Sequence, residues 1–419
     1  MRVHVIGGGF TGLVAAYHAL KRGHEVTVYE KDQRLGGMIQ TLETPFGLVE
    51  TAANAFIWNP EISEIAGKIG VELKPAKTGA RKRYIFNSSG TLCFPWPSLF
   101  RPVFFLRIFF FAFRYVFFRS LVAPRPFESI RVWGTRVFGS SITVEVLEPA
   151  LQGIYAGNGT RLSASLIMGR FFSKQPVRMT RITKRGIQPP PRGSVAPEKG
   201  MGAFIGALHT YLKGRGVTFV LGSEVKSRAQ LPSHEFVIHT VSHSHVRSQF
   251  SPYSNFAETM SALERISVIT ATLFFQPNKT KDLRGFGVLF GRDQGARALG
   301  VLFNEDIFAK RSQVRSETWI YGGEESEHLM ALSNTELVAT ALKDRKTLQG
   351  SSDEPLHYQV TKWKDALPYY TVELERMLFQ LTNKDFEEDQ KILWLGTDLG
   401  SLGLSRLVAH IKTRVEASL

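Results

Sequence analysis

The stretch VIGGGFTGLVAAYHALKRGHEVTVYEKDQRLGGMI, Val5–Ile39, decides the fold. It begins inside RVHVI (Arg2–Ile6), which is apolar and β-branched and predicts a buried strand. TGLVAAYHALKRG has apolar residues at helical spacing and stops at Gly23, so a helix is expected there. HEVTVYE predicts a second strand ending on Glu30. Gly7, Gly9 and Gly12 fall in the turn between strand and helix. Glycine there permits a tight bend, close approach of backbone to a pyrophosphate, and close packing of helix on sheet. Glu30 stands 18 residues beyond Gly12, where a carboxylate accepts hydrogen bonds from ribose hydroxyls. Strand, helix, strand and acid in this order predict a dinucleotide site.

The residues after the acid choose the cofactor. KDQRLGGMI supplies Arg34, able to neutralise a phosphate, and Gly36 and Gly37, which bring a second loop against the nucleotide. GGGxxGL, an acid and then RxGG together resemble the FAD-binding half of the flavin amine oxidase superfamily. Nicotinamide dehydrogenases generally lack the second element, so FAD is the expected cofactor.

The chain has 419 residues, 43% apolar and 21% charged, which describes a globular protein of two or three domains and excludes a disordered one. Cys93 is its single cysteine, so no internal disulfide forms, and a reducing compartment is expected. The first strand begins almost at Met1, so no secretory signal is expected. A net charge of +15 suits an anionic ligand or an anionic membrane face; nucleic-acid binding has no motif behind it. His239, His243 and His245 lie in HTVSHSH without zinc-site spacing, and no metal is expected.

Beyond Ile39 the pattern becomes discontinuous. RYIFNSSGTLCFPW predicts a hairpin turning at Asn87–Gly90. Residues 99–122 hold nine phenylalanines and four arginines. The apolar part, Pro102–Phe118, is interrupted by Arg107 and Arg114 and is short for a spanning helix, so an interfacial helix with snorkelling arginines is expected. Later come SVITATLFFQ, GFGVLFG, ALGVLFN and TWIYGG, which predict an antiparallel sheet, then a helix from Asn334. ILWLGTDLGSLGLSRL closes the chain as strand, turn and helix.

Several separated stretches carry a wider likeness: GIYAGNGTRLSA (Gly153–Ala164), EKGMGAFIGAL (Glu198–Leu208), GFGVLFG with ALGVLFN, YGG (Tyr321–Gly323) and KWKDALPYY (Lys362–Tyr370). In their order and spacing the whole chain resembles the oxygen-dependent, FAD-containing protoporphyrinogen oxidases. The resemblance implies an α/β fold: a discontinuous Rossmann-like FAD-binding domain (1–78, 193–246 and 389–419), an antiparallel-sheet substrate domain (79–98 and 247–388) and a helical, membrane-facing insertion (99–192). It implies that Gly7, Gly8, Gly9, Phe10, Thr11, Gly12, Glu30, Lys31, Arg34, Gly37, Met38, Asn54, Val225, Leu402, Leu404 and Ser405 hold FAD. It also implies that Arg83 binds a propionate, that the Gly153 carbonyl lies beside the reacting carbon, and that Phe286 and Leu289 sandwich the macrocycle. Ala52 and Ala53 stand where the family usually carries glycine and proline, and Ser401 near a second family glycine.

The implied reaction is oxidation of protoporphyrinogen IX to protoporphyrin IX with oxygen as acceptor, a late step of haem biosynthesis. Six electrons leave, two per flavin cycle, so the protein positions and the cofactor does the redox chemistry. No catalytic side chain is therefore expected. Coproporphyrinogen III oxidation is the nearest alternative, and extra cations lining the pocket would favour it. An amine oxidase, with Lys364 its candidate residue, a desaturase, or a flavoprotein that only carries tetrapyrrole are more distant. The expected setting is cytoplasmic, on the inner face of a membrane, with a homodimer compatible.

Overall fold

The computed structural model describes residues 1–87, 90–94, 102–172, 193–241, 263–277, 282–291, 295–380, 391–399 and 403–419. The chain divides into two units: Met1–Ala76, Arg192–Glu264 and Met377–Leu419 form the first, Lys77–Pro191 and Arg265–Arg376 the second.

Unit 1 is built on a parallel sheet. Strands β1 (Arg2–Ile6) and β2 (Glu25–Glu30) flank helix α1 (Phe10–Lys21), and β10 (Thr218–Leu221), β11 (Phe236–His239) and β17 (Ile392–Trp394) complete the order β10-β2-β1-β11-β17. All pairings are parallel, and Val3, Val5, Val26, Val28, Val237 and Ile238 are buried, as strands covered on both faces require. A hairpin, β3 (Thr41–Thr44) with β4 (Gly47–Glu50), lies outside this sheet. So does a small sheet of β5 (Phe56–Ile57), β6 (Leu73–Pro75) and β9 (Ser194–Pro197). Helix α2 (Pro60–Lys68) starts on Asn59, whose side chain accepts from the Ile62 N–H at 2.8 Å. Helices α6 (Met201–Lys213) and α8 (Leu404–Ser418) complete the unit, and α1 packs against both.

Unit 2 is organised by one seven-stranded sheet, β16-β12-β15-β14-β13-β7-β8. Its strands are β7 (Arg83–Asn87), β8 (Gly90–Phe94), β12 (Arg265–Phe275), β13 (Gly287–Phe290), β14 (Gly300–Phe303), β15 (Arg315–Gly322) and β16 (His357–Pro368). The four stretches expected to form an antiparallel sheet do pair antiparallel, as β12 to β15, but the substrate sheet as a whole is corrected to a mixed one: β13 runs parallel to β7, with Gly287 opposite Arg83. The cause is connectivity, because no tight turn joins those two strands and nothing local fixes their relative direction. Strand β16, on an edge of the sheet, carries most of the KWKDALPYY stretch.

One face of this sheet buries Ile269, Ala271, Leu273, Val288, Phe290, Val301, Trp319 and Tyr321 against Leu337, Val338 and Ala341 of helix α7 (Asn334–Gln349). On the same face Glu317 accepts from both Arg315 (2.9 Å) and Arg345 (3.2 Å), all three fully buried, so each charge is answered. The remaining helices include α3 (Pro102–Phe117), α4 (Ile130–Phe138) and α5 (Glu148–Tyr155).

No described helix is long and apolar enough to cross a membrane. Helix α3 has two apolar faces. Phe111 packs at a tilt against Phe138 with ring centroids 4.6 Å apart, and the Arg107 guanidinium turns inward to donate to the Phe138 carbonyl at 3.1 Å. Arg107 therefore does not snorkel as expected, because the last carbonyls of α4 need a donor. The other face leaves Leu106, Phe109, Phe110, Phe113, Val116 and Phe117 exposed.

Candidate functional site

In unit 1 the glycine turn is held by backbone. The Gly7 N–H donates to the Tyr29 carbonyl (2.8 Å) and the Gly36 N–H to the Gly8 carbonyl (2.8 Å), which docks the RLGG loop on the turn. Gly9 and Gly36 form a parallel bridge there. Gly36 has φ +104°, which glycine adopts without strain. A Cβ on Gly12 would lie 1.8 Å from the Gly7 carbonyl oxygen, so no other residue fits where α1 crosses the turn.

Helix α1 begins on Gly9 with no side-chain cap and no acid in its first turn. Its first N–H groups and the positive end of its dipole are thus left for an anion, with Phe10 and Thr11 at that end. Glu30 is buried at the end of β2. Its two oxygens accept from the Gly8 N–H (2.7 Å) and the Asp32 N–H (3.0 Å), and each keeps a lone pair for a ribose hydroxyl. The segment carrying Val225 runs along the end of β2, with the Gly222 and Ser223 N–H groups on the Asp32 and Glu30 carbonyls. A pyrophosphate and an adenosine ribose fit this set of groups.

Other expected contacts are arranged differently. Arg34 donates to the carbonyls of Leu35, Gly37 and Ile39, so its guanidinium fastens its own loop. Lys31 and Met38 are exposed, and Ala52, Ala53 and Asn54 are half-buried. The Met38 carbonyl accepts from Thr51 at 2.7 Å. Leu404 and Ser405 open α8, where the Asn59 amide donates to the Ser405 carbonyl at 2.6 Å. Leu402 and Ser401 lie outside the described residues, as do His243 and His245. Sequence reasoning missed Thr240, whose hydroxyl donates to the Ile6 carbonyl at 2.7 Å and lies 2.9 Å from the position a Cβ on Gly7 would take. It also missed Glu50, whose carboxylate accepts from the Met201 N–H at the start of α6, beside the Thr41 hydroxyl, which accepts from the Gly202 N–H. Neither belongs to a short motif.

Unit 2 brings together the four residues assigned to the substrate. The sheet face opposite the core carries two rows set by register: Arg83, Gly287, Leu302 and Thr318, then Ile85, Leu289, Gly300 and Ile320. Gly287 and Gly300 remove the side chain from the middle of each row, leaving a trough between half-buried apolar residues. A Cβ on Gly287 would meet the Val301 carbonyl oxygen at 2.0 Å. At one end the Arg83 guanidinium lies 4.5 Å over the Phe286 ring. Among the described residues no carboxylate pairs with it; desolvation by its surroundings lowers its pKa, with no acid to raise it. Arg83 is an unanswered cation on an apolar platform.

Gly153 comes from α5 and faces Leu289, whose Cδ2 lies 2.2 Å from the position a Cβ would take. The last intrahelical bond of α5 runs from the Ala156 N–H to the Gln152 carbonyl at 2.7 Å, with Ala156 left-handed at φ +51°. The carbonyls of Gly153, Ile154 and Tyr155 lie beyond it, at the negative end of the helix. Tyr369 of KWKDALPYY secures this end: its hydroxyl accepts from the Asn158 N–H (3.0 Å) and donates to Glu324 (3.1 Å).

Residues 10–394 match the flavin containing amine oxidoreductases. Among curated relatives, protoporphyrinogen oxidase 2, chloroplastic/mitochondrial, of Arabidopsis thaliana is 25% identical over 97% of this chain and 92% of its own. Coproporphyrinogen III oxidase of Mycobacterium tuberculosis is 22% identical over 87% of this chain and 86% of its own. A solved structure from Exiguobacterium sp. 255-15, provisionally assigned as a protoporphyrinogen oxidase, superposes with a TM-score of 0.80 at 19% identity, covering 99% of this chain and 98% of that one.

Proposed function

The chain belongs to the flavin containing amine oxidoreductase family and is an FAD-dependent oxidoreductase, and from that premise we propose that it oxidises a porphyrinogen to the porphyrin with molecular oxygen as acceptor. The observation that carries this reading is Arg83, unpaired among the described residues and set over Phe286 at the end of a glycine-floored apolar trough. A flat macrocycle needs apolar walls, and its propionate needs a guanidinium. Protoporphyrinogen IX and coproporphyrinogen III both present such a propionate edge, and relatives named for each reaction support either.

Bound FAD supplies a two-electron acceptor, so three cycles complete the six-electron oxidation. The chain's own residues do the rest. Gly7–Gly12, with the N-terminus of α1, would hold the pyrophosphate, and Glu30 the adenosine ribose. Arg83 anchors the substrate, and Phe286 and Leu289 hold the ring. The free Gly153 carbonyl accepts a hydrogen bond from a pyrrole N–H. The negative end of α5 favours the positive charge that develops on the ring as a methylene bridge is oxidised. The testing experiment is oxidation in air: the purified protein shows flavin absorbance and turns a non-fluorescent porphyrinogen into fluorescent porphyrin, with peroxide formed. A yellow protein that oxidises amines but no porphyrinogen would reverse the assignment.

The same reading places the protein on a membrane surface, the inner face of the cytoplasmic membrane. Its support is the exposed stripe of Leu106, Phe109, Phe110, Phe113, Val116 and Phe117 with a net charge of +15, the makeup of a helix lying in an anionic interface. A variant with Phe109→Glu, Phe113→Glu and Phe117→Glu should bind anionic vesicles more than about tenfold more weakly, since each change removes apolar burial and adds repulsion. Unchanged co-sedimentation would rule out this face.

A further inference from the structure

Three of the stretches that stand out in the sequence meet at one place in unit 2, the C-terminal end of α5: GIYAGN, which ends the helix, YGG, and the PYY that finishes and follows β16. The backbone after α5 is paired with the backbone after β16. The Ser163 N–H donates to the Tyr370 carbonyl at 2.9 Å, the Val372 N–H donates to the Arg161 carbonyl at 2.9 Å, and Leu162 and Thr371 form an antiparallel bridge. The end of β16 is itself anchored, because the Arg265 guanidinium on β12 donates to the carbonyls of Asp365 and Ala366 at 2.8 and 3.1 Å.

Tyr369 locks this junction. It is buried, and its ring fills the space beside Gly157, where a Cβ would lie 2.5 Å from the ring's Cε2 atom. The Arg161 guanidinium lies 4.7 Å over the same ring. The Tyr369 hydroxyl is spent in both directions, on the Asn158 N–H and on Glu324, and burial pushes its pKa up to about 12, so it keeps the proton it donates. Tyr370 sets its ring edge-on to Tyr155, the last residue of α5, with centroids 5.8 Å apart. A Cβ on Gly323 of YGG would meet the Ala156 carbonyl oxygen at 2.5 Å. Among these contacts stands Ala156 at φ +51°, a left-handed conformation that alanine adopts at a cost and keeps only where its neighbours over-determine it.

Resting on the porphyrinogen reading above, we propose that Tyr369, with Glu324 behind it, is a positioning residue that fixes the end of α5 so that the Gly153 carbonyl meets the pyrrole N–H in reacting geometry. Gly153 has no side chain by which it could be aimed. Its carbonyl is placed by backbone alone, and it lies three residues before the strained Ala156, less than one helical turn. A reacting group misplaced by about 1 Å costs on the order of 100-fold in rate, so a remote hydroxyl that holds this backbone acts on kcat.

The test is steady-state oxidation of a porphyrinogen by the wild-type holoenzyme and by Tyr369→Phe, Glu324→Leu, Glu324→Gln and Ser333→Ala, with flavin content and Tm measured for each. Tyr369→Phe keeps the ring and strands the Asn158 N–H, so kcat should fall about 10- to 100-fold while KM stays within about twofold. Glu324 is exposed, and Glu324→Leu should give a smaller fall at wild-type Tm. Glu324→Gln, whose amide oxygen still accepts from the hydroxyl, should keep most of the activity. Ser333→Ala is the control for stability alone: it removes the cap of α7, where the Ser333 hydroxyl accepts from the Glu336 N–H at 3.2 Å, and should lower Tm without lowering kcat. A wild-type kcat in Tyr369→Phe, a loss confined to KM, or a kcat that simply tracks Tm across the variants overturns the positioning role and leaves the porphyrinogen reading standing. Should Tyr369→Phe fail to fold, Glu324→Leu decides: a lowered kcat at wild-type Tm supports the role, and an unchanged one overturns it. Failure of the wild-type holoenzyme to oxidise any porphyrinogen overturns both.

Discussion

A Gly12→Ala variant should purify colourless, or not fold at all. The added methyl would sit 1.8 Å from the Gly7 carbonyl oxygen and about 3.0 Å from the Thr240 hydroxyl oxygen, inside the contact distance of both. The first neighbour is backbone, fixed by β1 and by the Gly7 bond to Tyr29, so it cannot swing aside as a side-chain tip would. Helix α1 must therefore move off the sheet, which takes its N-terminal N–H groups away from the pyrophosphate. Overpacking of this severity belongs to the rare class of substitutions costing about 3–5 kcal/mol. The ratio of flavin to protein absorbance and the unfolding temperature report the two consequences. Gly67→Ala is the control: it lies inside α2 with nothing within 4 Å of its Cβ position, so it should be neutral or slightly stabilising. Full flavin content in Gly12→Ala would show that the turn tolerates a side chain and that its glycine is incidental.

Arg83→Ala should have the opposite pattern, with flavin kept and substrate lost. The side chain lies in unit 2, over the Phe286 ring and answered by no carboxylate among the described residues, so its removal strands no buried acid among them. The folding cost is therefore small. Losing one charge-assisted bond to a propionate costs about 2–3 kcal/mol, or roughly 30- to 150-fold in kcat/KM. Because the propionate is held equally before and during reaction, the loss should fall on KM with kcat largely retained. Arg83→Lys should recover part of it, keeping the charge without the planar fork. A drop in kcat at unchanged KM would instead assign Arg83 a role in the chemical step.

The two variants divide along what could be read in advance. The turn was legible because its determinants are local: Gly7, Gly12 and Glu30 lie within one strand–helix–strand unit, and backbone sterics alone demand glycine where α1 crosses the turn. FAD was legible for the same reason, from RLGG directly after the acid. Glu50 and Thr240 were not, because a carboxylate or hydroxyl reveals its role only when a distant segment brings an N–H or a carbonyl to it. Arg107 misled for a related reason. On an isolated helix it reads as a snorkelling cation, but α4 offers an unsatisfied carbonyl within its reach.

The order of glycines, acid and arginine along the first forty residues determined by itself that this chain folds around a dinucleotide and that the dinucleotide is FAD, because those requirements are met between near neighbours. Where the second unit places its glycines, and which of its cations go unanswered, only the tertiary structure decided. The trough is made by register across β7, β13, β14 and β15, strands spread from Arg83 to Gly322, and a parallel pairing that no local turn dictates. Whether an arginine is spent, as Arg315 and Arg345 are on Glu317, or free of any carboxylate among the described residues, as Arg83 is, depends on which carboxylate the fold carries to it. Charge pairing is a matter of distance in space, and the sequence records only distance along the chain.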